Sequence, residues 1–392
     1  MKVFKKILKV FALYIYNILY WIIPINKNTI IFESSVGRNY TGNPKAIYEE
    51  IIKQKLDGKY KCIWILENLS ENIPGKNKKV KRLRFRYFYY MIRAKFWIMD
   101  SRQPSYLKKK KGNIYIQTWH GTPLKKLGLD MNFVNMGGHK DINNYRNTFK
   151  NNSSRWDFLI SQNSYSTKIF KHAFAFDKTV LEIGYPRNDI LFKYSENMVD
   201  EIKNKIGVDK SKRVILYAPT WRDNQYNKDG QYKFQLPINL QKFVQRFKDE
   251  YILILKPHYL IADEIDVSEY KENIKVCGIN YDIQELYIIS DLMITDYSSV
   301  MFDYSILNKP IIFYMYDLNQ YKNEIREFYF DILNEAPGKI VLNDNDLMNA
   351  IDTIDNISKE YKDKYSIFCE KYNSKDNGNA SKKIIEVIQK YE

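Results

Sequence analysis

An α/β fold, with helices packed on mostly parallel sheets, is what this sequence predicts, and three observations predict it. Short runs rich in β-branched and aromatic residues alternate with helical stretches along nearly the whole chain. The 392 residues suffice for two or three domains, and a hydrophobic share of 45% supports a sizeable core and excludes an intrinsically disordered chain. The strand-like runs also fall into two comparable sets, separated by the polar stretch Asp189 to Ser211, which has few strand formers. Two β/α layers joined there put a central cleft where the carboxyl ends of both sheets face each other, and ligands are expected in it.

The first element is a helix. Lys2, Lys5, Lys6 and Lys9 share one helical face, and Phe4, Ile7, Leu8 and Phe11 share the opposite one. Beyond Val10 the segment is apolar all round except at Asn17, and Pro24 ends it. About 15 apolar residues fall short of the ~20 that span a bilayer, and no small-residue cleavage site follows. Tyrosine, tryptophan and lysine suit an anionic headgroup layer. Residues 1–26 are therefore expected to be an amphipathic membrane-associating segment, with a helix packed on the core as the alternative.

Residues 27–195 form the first expected domain, with strands at Thr29–Glu33, Lys61–Leu66, Phe96–Met99, Ile114–Thr118 and Phe158–Ser161. Pro44–Gln54 reads as a helix capped by Asn43, with Pro44 in its first turn. Residues 196–392 form the second, with strands at Val214–Ala218, Tyr251–Lys256, Ile274–Cys277, Leu292–Thr295 and Pro310–Tyr314. Its last 40 or so residues read as helices, including Lys382–Lys390. The polar segment Arg222–Gln235 reads as a loop over a site or as a solvated insertion.

Charge narrows the partners. Lys plus Arg number 62 against 46 Asp plus Glu, a formal net charge of +16, which favours nucleic acid, an anionic bilayer or a phosphate-rich substrate. Lys, Asn, Ile and Tyr are abundant together, as AT-rich coding produces, so part of the excess carries no functional message. The scattered Cys62, Cys277 and Cys369 argue against a disulfide scaffold or zinc ribbon and for a reducing compartment. No Walker A loop, Gly-x-Gly-x-x-Gly or His-Glu-x-x-His is present, and Asp344-Asn345-Asp346 reads as a helix start, so no metal and no cofactor is expected.

The chemistry collects behind strands. Trp119-His120-Gly121-Thr122-Pro123 follows one directly, and a helix started by Pro123, with Lys125 and Lys126 a turn later, would offer amides and charge to an anion. Lys256-Pro257-His258 ends another strand in the other half. Facing histidines could serve as acid and base near neutral pH. Pro219, Thr220 and Arg222 follow a third strand, and Arg222 brings a forked donor suited to phosphate. Asp296, Ser298 and Ser299 follow a fourth, the serines in the first turn of a helix that could hold a diphosphate and Asp296 as a cap or a ribose or base ligand. His139 and His172 lack such placement and read as surface or packing residues.

These strings, QTWHGTPLKKLG (117–128), GYPRND (184–189), YAPTWRD (217–223), KPH (256–258) and TDYSSVMFDY (295–304), resemble the CDP-glycerol glycerophosphotransferase family of teichoic acid primases and polymerases. Phe32-Glu33-Ser34, Asn43-Pro44 and Glu335-Ala336-Pro337-Gly338 fit the same pattern, and the similarity runs from about Ile30 to the carboxyl end. The resemblance implies two Rossmann-like domains of the GT-B type and peripheral attachment to the cytoplasmic face of the membrane. It implies transfer of glycerol phosphate from CDP-glycerol to a hydroxyl of an undecaprenyl-diphosphate-linked acceptor, releasing CMP. His120 and His258 match the family's essential histidines. Trp119 to Pro123, Arg187, Pro219, Thr220, Arg222, Lys256, Pro257, Asp296, Ser298 and Ser299 match stretches lining its donor site. Three rivals stay open: a CDP-ribitol-dependent transferase, a GT-B glycosyltransferase using a nucleotide sugar, and a basic nucleic-acid-binding protein supported by Lys108–Lys111 and the Lys76–Arg86 stretch. Single addition and polymerisation both fit the motifs.

Overall fold

Every strand expected from the sequence is present in the computed structural model, which describes residues 13–133, 141–220, 236–257, 265–318 and 327–392. A seven-stranded sheet is built from β1 (Asn26–Glu33), β2 (Lys61–Leu66), β3 (Asn77–Lys81), β4 (Ala94–Met99), β5 (Ile114–Gln117), β6 (Phe158–Ser161) and β7 (Thr179–Glu182). Its order is β3-β2-β1-β4-β5-β6-β7. A six-stranded sheet holds β8 (Arg213–Ala218), β9 (Tyr251–Leu255), β10 (Ile274–Val276), β11 (Leu292–Thr295), β12 (Ile311–Tyr314) and β13 (Lys339–Val341), in the order β10-β9-β8-β11-β12-β13. All the pairings are parallel, with Ile31 of β1 opposite Ile63 on one side and Trp97 on the other. Both orders are the doubly wound pattern, in which the order of strand addition reverses between β1 and β4 and again between β8 and β11.

Central strands bury both faces, which is why they read as continuous apolar runs such as Cys62-Ile63-Trp64-Ile65-Leu66. Three strands escaped the sequence reading, β3 (NKKVK), β7 (TVLE) and β13 (KIV), and each lies at a sheet edge. An edge strand covers only part of its surface and tolerates lysine, so its apolar signal is diluted.

The described residues divide into two units, one of 13–120, 141–189 and 379–392, the other of 121–133 and 190–378. This departs from the expected 27–195 and 196–392 in three segments that change sides, 121–133, 190–195 and 379–392. The carboxyl-terminal helix Ala380–Lys390 belongs with the first sheet, where Ile384, Ile385 and Ile388 enter a core with Ile47, Ile51 and Trp64. Asp189 fixes its start by accepting hydrogen bonds from the Ala380 and Ser381 amides at 2.9 and 2.8 Å. Residues 121–133 belong with the second sheet, and the later boundary falls between Asp189 and Ile190. In that second unit, Gly338 has no substitute, because a Cβ there would lie 2.0 Å from the Ile311 carbonyl oxygen.

Residues 13–22 are helical. One face is docked: Tyr16 is buried, its hydroxyl donates to the Lys108 carbonyl at 3.2 Å, and its ring meets Phe88 edge-on at 5.6 Å. The other face leaves Tyr14, Ile18, Trp21 and Ile22 exposed, Trp21 at 82%. No helix among the described residues is long and apolar enough to cross a membrane.

Candidate functional site

In the first unit the site forms where β1, β4 and β5 end side by side. Asp100 directly follows β4, and its buried carboxylate accepts the Ser35 amide at 3.0 Å and the Ser101 hydroxyl at 2.6 Å. It thereby stitches the loops on either side of the reversal in strand order. Beyond β5, Thr118 still donates its amide to the Met99 carbonyl at 2.8 Å, and then the chain turns sharply. Trp119 adopts φ 51°, a left-handed conformation that costs a bulky residue roughly 1–3 kcal/mol. Several contacts hold it there. Its amide donates to Gln117 Oε1 at 3.0 Å, its carbonyl accepts Asn43 Nδ2 at 3.0 Å, and its ring packs on Phe174 at 4.6 Å.

That turn carries His120 out of the strand line. Its ring stacks on Trp119 at 4.4 Å, and Nδ1 lies 3.0 Å from the Asp100 carbonyl oxygen. A carbonyl only accepts, so Nδ1 bears the proton and the neutral ring keeps its lone pair on Nε2. No hydrogen bond joins Nε2 to any of the described residues. The side chain is exposed, yet the surrounding protein crowds it and pushes its pKa below the ordinary 6.5. The Asp100 carboxylate pulls the other way, and Arg187 and Arg102 reinforce the drop. Burial in turn raises the Asp100 carboxyl above its usual range. The outcome is an imidazole held neutral, with a presented acceptor nitrogen.

Arg187 closes the arrangement, donating from Nη1 to the His120 carbonyl at 2.8 Å, while its amide donates to Asn43 Oδ1 at 3.1 Å. Asn43 was expected to cap a helix. The helix instead spans Gly42–Lys53 with Thr41 at its cap position, and the buried Asn43 amide reaches across to the carbonyls of Thr118 and Trp119. Placing it one residue inside the helix turns its side chain towards the strand ends.

In the second unit the expected residues again sit on adjacent strand ends. Pro219 and Thr220 follow β8, Lys256 and Pro257 follow β9, and Asp296 to Ser299 follow β11. Asp296 repeats the stitch made by Asp100, its Oδ1 accepting the amides of Thr220 at 2.8 Å and Tyr297 at 2.7 Å. It is neither the cap of the next helix nor open to solvent. Ser299 occupies the cap position without a side-chain bond, and the helix runs Val300–Tyr304 before a tighter turn through Leu307. Ser298 and Ser299 are half-buried. The Lys256 ammonium is engaged by the carbonyls of Gly278 and Tyr281, the latter at 3.0 Å, so it shapes the Gly278–Tyr281 loop.

One expected element is absent. No helix follows Pro123: Gly121 to Leu127 contain no helical turn, Lys125 bridges to Phe328, and the Leu124 carbonyl accepts the Tyr329 amide at 3.0 Å. Lys126 pairs with Glu327 at 3.0 Å. The anion site expected from helix amides and the two lysines is therefore not formed, because these residues are used as a strand-like pairing partner. Gly121, Thr122 and Pro123 are buried in that segment. His258, Arg222, the whole Arg222–Gln235 segment and His139 lie outside the described residues. His172 is exposed on the helix Ser164–Ala173, and Asn343 caps the helix that starts at Asp344.

Sequence reasoning missed Asp100 and the true task of Asn43. Asp100 carried a usable signal, for it follows the apolar run Phe96–Met99 as Asp296 follows Leu292–Thr295.

The profile of the CDP-glycerol:poly(glycerophosphate) glycerophosphotransferase family matches residues 15–390. A teichoic acid poly(glycerol phosphate) polymerase of Staphylococcus epidermidis is 42% identical over 371 residues, covering 93% of this chain and 51% of the relative. The polymerase of the same name from Bacillus spizizenii is 41% identical over 382 residues, 95% of this chain and 96% of the relative. The chain thus spans about half the length of the first relative and nearly all of the second. A solved structure of the wall teichoic acid polymerase TagF superposes with a TM-score of 0.88 at 41% identity, covering 93% of this chain and 89% of that one.

Proposed function

The chain belongs to the CDP-glycerol:poly(glycerophosphate) glycerophosphotransferase family, and from that premise we propose that it transfers glycerol phosphate from CDP-glycerol to a hydroxyl of a lipid-linked, teichoic-acid-type acceptor, releasing CMP. The observation that carries the chemistry is the His120 ring, neutral and presenting Nε2. Nε2 takes the proton of the acceptor hydroxyl, and the oxygen attacks the phosphorus that bears glycerol. The bond from that phosphorus to the CMP oxygen breaks, and CMP carries away the electron pair. CDP-glycerol is the donor substrate and not a resident cofactor.

Charge then builds on the bridging oxygen, and donors fixed in advance lower that cost, one of them by ~3 kcal/mol. Thr220, Arg222, Ser298, Ser299 and the second histidine, His258, are the groups we assign to it. Trp119, Gly121 to Pro123, Pro219, Pro257 and Asp296 shape the donor site, and Arg187 braces His120. Lys256 supports this site through its loop, since its ammonium is already bonded to carbonyls. The acceptor is an undecaprenyl-diphosphate-linked chain on the cytoplasmic face of the membrane. Mass spectrometry of products from CDP-glycerol, CDP-ribitol and a UDP-sugar with a synthetic lipid-linked acceptor tests the reading. CMP with glycerol-phosphate increments is expected; exclusive use of CDP-ribitol, or release of UDP, contradicts it.

The helix 13–22 attaches the protein peripherally. Tyr14, Ile18, Trp21 and Ile22 lie on one face and are exposed while the opposite face is docked, so insertion into headgroups covers apolar surface that nothing among the described residues covers. Burying a large apolar side chain contributes about 1.5–3 kcal/mol. Trp21→Ser combined with Ile22→Ser should therefore weaken binding to phosphatidylglycerol vesicles by at least about tenfold in a sedimentation assay. Unchanged sedimentation would refute the attachment.

A further inference from the structure

At the amino ends of β1, β2 and β3, on the sheet edge opposite the one that leads to His120, lies a trough of about 440 Å³. It falls within the size range of small-ligand sites, roughly 300–1,000 Å³. Buried Tyr60 and Cys62 contribute its apolar lining, and Lys59, Lys61, Lys76 and Lys78 stand around it with the carboxylate of Asp57, while Glu392 is bonded to Lys59 and to the Tyr60 hydroxyl at its rim. Lys59 is paired with Glu392 at 2.8 Å. Lys61, Lys76 and Lys78 have no carboxylate partner among the described residues. The ammonium groups of Lys61 and Lys78 both lie over the Tyr90 ring, 5.6 and 5.7 Å from its centre.

The walls are built in advance. Asp57 accepts the Lys76 amide at 2.9 Å and clips two loops together. Asn77 Nδ2 lies within 3.2 Å of the Tyr48 hydroxyl and of the Ile73, Pro74 and Gly75 carbonyls, which fixes the second loop. Gathering three unneutralised ammonium groups at one rigid mouth is unfavourable by itself, and an anion with several charges relieves it. β2 is six residues long, so the trough stands roughly 20 Å from the catalytic edge of its own sheet.

We propose that this trough binds the phosphodiester chain of the acceptor or product, holding already-added units away from the reacting end. The proposal rests on the transfer reaction above and names a second contact for its polymer. It also gives a task to the Lys76–Arg86 stretch, in which Arg82 is instead drawn inward to Glu33 at 3.1 Å and Lys81 stands 3.7 Å from Glu67.

Titrating the full chain with a lipid-free glycerol-phosphate hexamer, by calorimetry over a range of NaCl, tests it. Lys61 and Lys78 are exposed, so Lys61→Gln/Lys78→Gln should fold normally, which a melting curve verifies. The double variant should bind the hexamer about tenfold more weakly and with a shallower salt dependence. CMP release to a minimal acceptor should be unchanged. Equal hexamer binding by both proteins, or none by the wild type, overturns the proposal. So does a loss confined to phosphatidylglycerol vesicles, which would make the lysines a lipid contact. Absence of CMP release by the wild type contradicts the transfer reaction itself, whereas normal release with unaltered hexamer binding contradicts the trough alone.

Discussion

Replacing His120 by alanine is expected to slow CMP release by at least about a hundredfold, the lower scale for losing a general base. The ring makes one side-chain hydrogen bond, to the Asp100 carbonyl, and is exposed, so folding should barely register the loss. The effect should fall on kcat more than on KM, because Nε2 matters when the acceptor proton moves and not when CDP-glycerol binds. A variant that releases CMP within a few-fold of the wild type would remove His120 from the mechanism. His258→Ala should be similarly impaired by the roles assigned above, and only the pair of variants separates base from charge-stabilising group.

The second large effect is expected at Asn43. One buried amide serves three backbone groups, donating to the carbonyls of Thr118 and Trp119 and accepting the amide of Arg187. Asn43→Ala removes that partner from all three; the Trp119 carbonyl keeps the Thr118 hydroxyl at 3.1 Å, and the other two cost about 1–3 kcal/mol for each buried group left unsatisfied. Partial relaxation makes a total loss of roughly 3 kcal/mol reasonable, read as a lower denaturation midpoint. Activity should fall as well. The left-handed turn at Trp119 costs energy, and Asn43 is among the contacts that hold it and so aim His120. If Asn43→Ala keeps both the midpoint and the turnover of the wild type, the turn is held by something else.

These two residues show what a single sequence discloses. The position of His120 was legible because a histidine directly behind an apolar strand stands at a strand end, and strand ends are where ligands are expected in such folds. Asn43 was misread because local pattern favours a cap before Pro44, while the side chain answers a demand from Thr118 and Trp119, 75 and 76 residues away. Pro123 failed in the same direction: it promises a helix, but Phe328 and Tyr329 recruit the segment into extended pairing. Pairing over some 200 residues leaves no local trace. The central strands were readable because burial on both faces demands apolar runs, and β3, β7 and β13 were not because an edge makes no such demand. The allegiance of Ala380–Lys390 to the first unit hides for a related reason, since only Asp189, far upstream, reveals where that helix is fixed.

Asp100 and Asp296 add a structural reason for the doubly wound order in both units. Each follows the strand at which the order of addition reverses, and each accepts the amide of a residue beyond the neighbouring strand, Ser35 or Thr220. The two loops that must line a ligand are thereby tied before any ligand arrives.

Proton abstraction at His120 needs a neutral imidazole protonated at Nδ1, and nitrogen-15 NMR of the histidine rings across pH measures that directly. With His120→Gln to assign its signals, the ring should titrate below 6.5 and show Nδ1 bearing the proton once neutral. Since the neutral form is the base, the acid limb of kcat/KM should fall at the same pH and be lost in the variant. A ring that titrates above 6.5, or that carries its proton on Nε2 at neutral pH, would contradict the account.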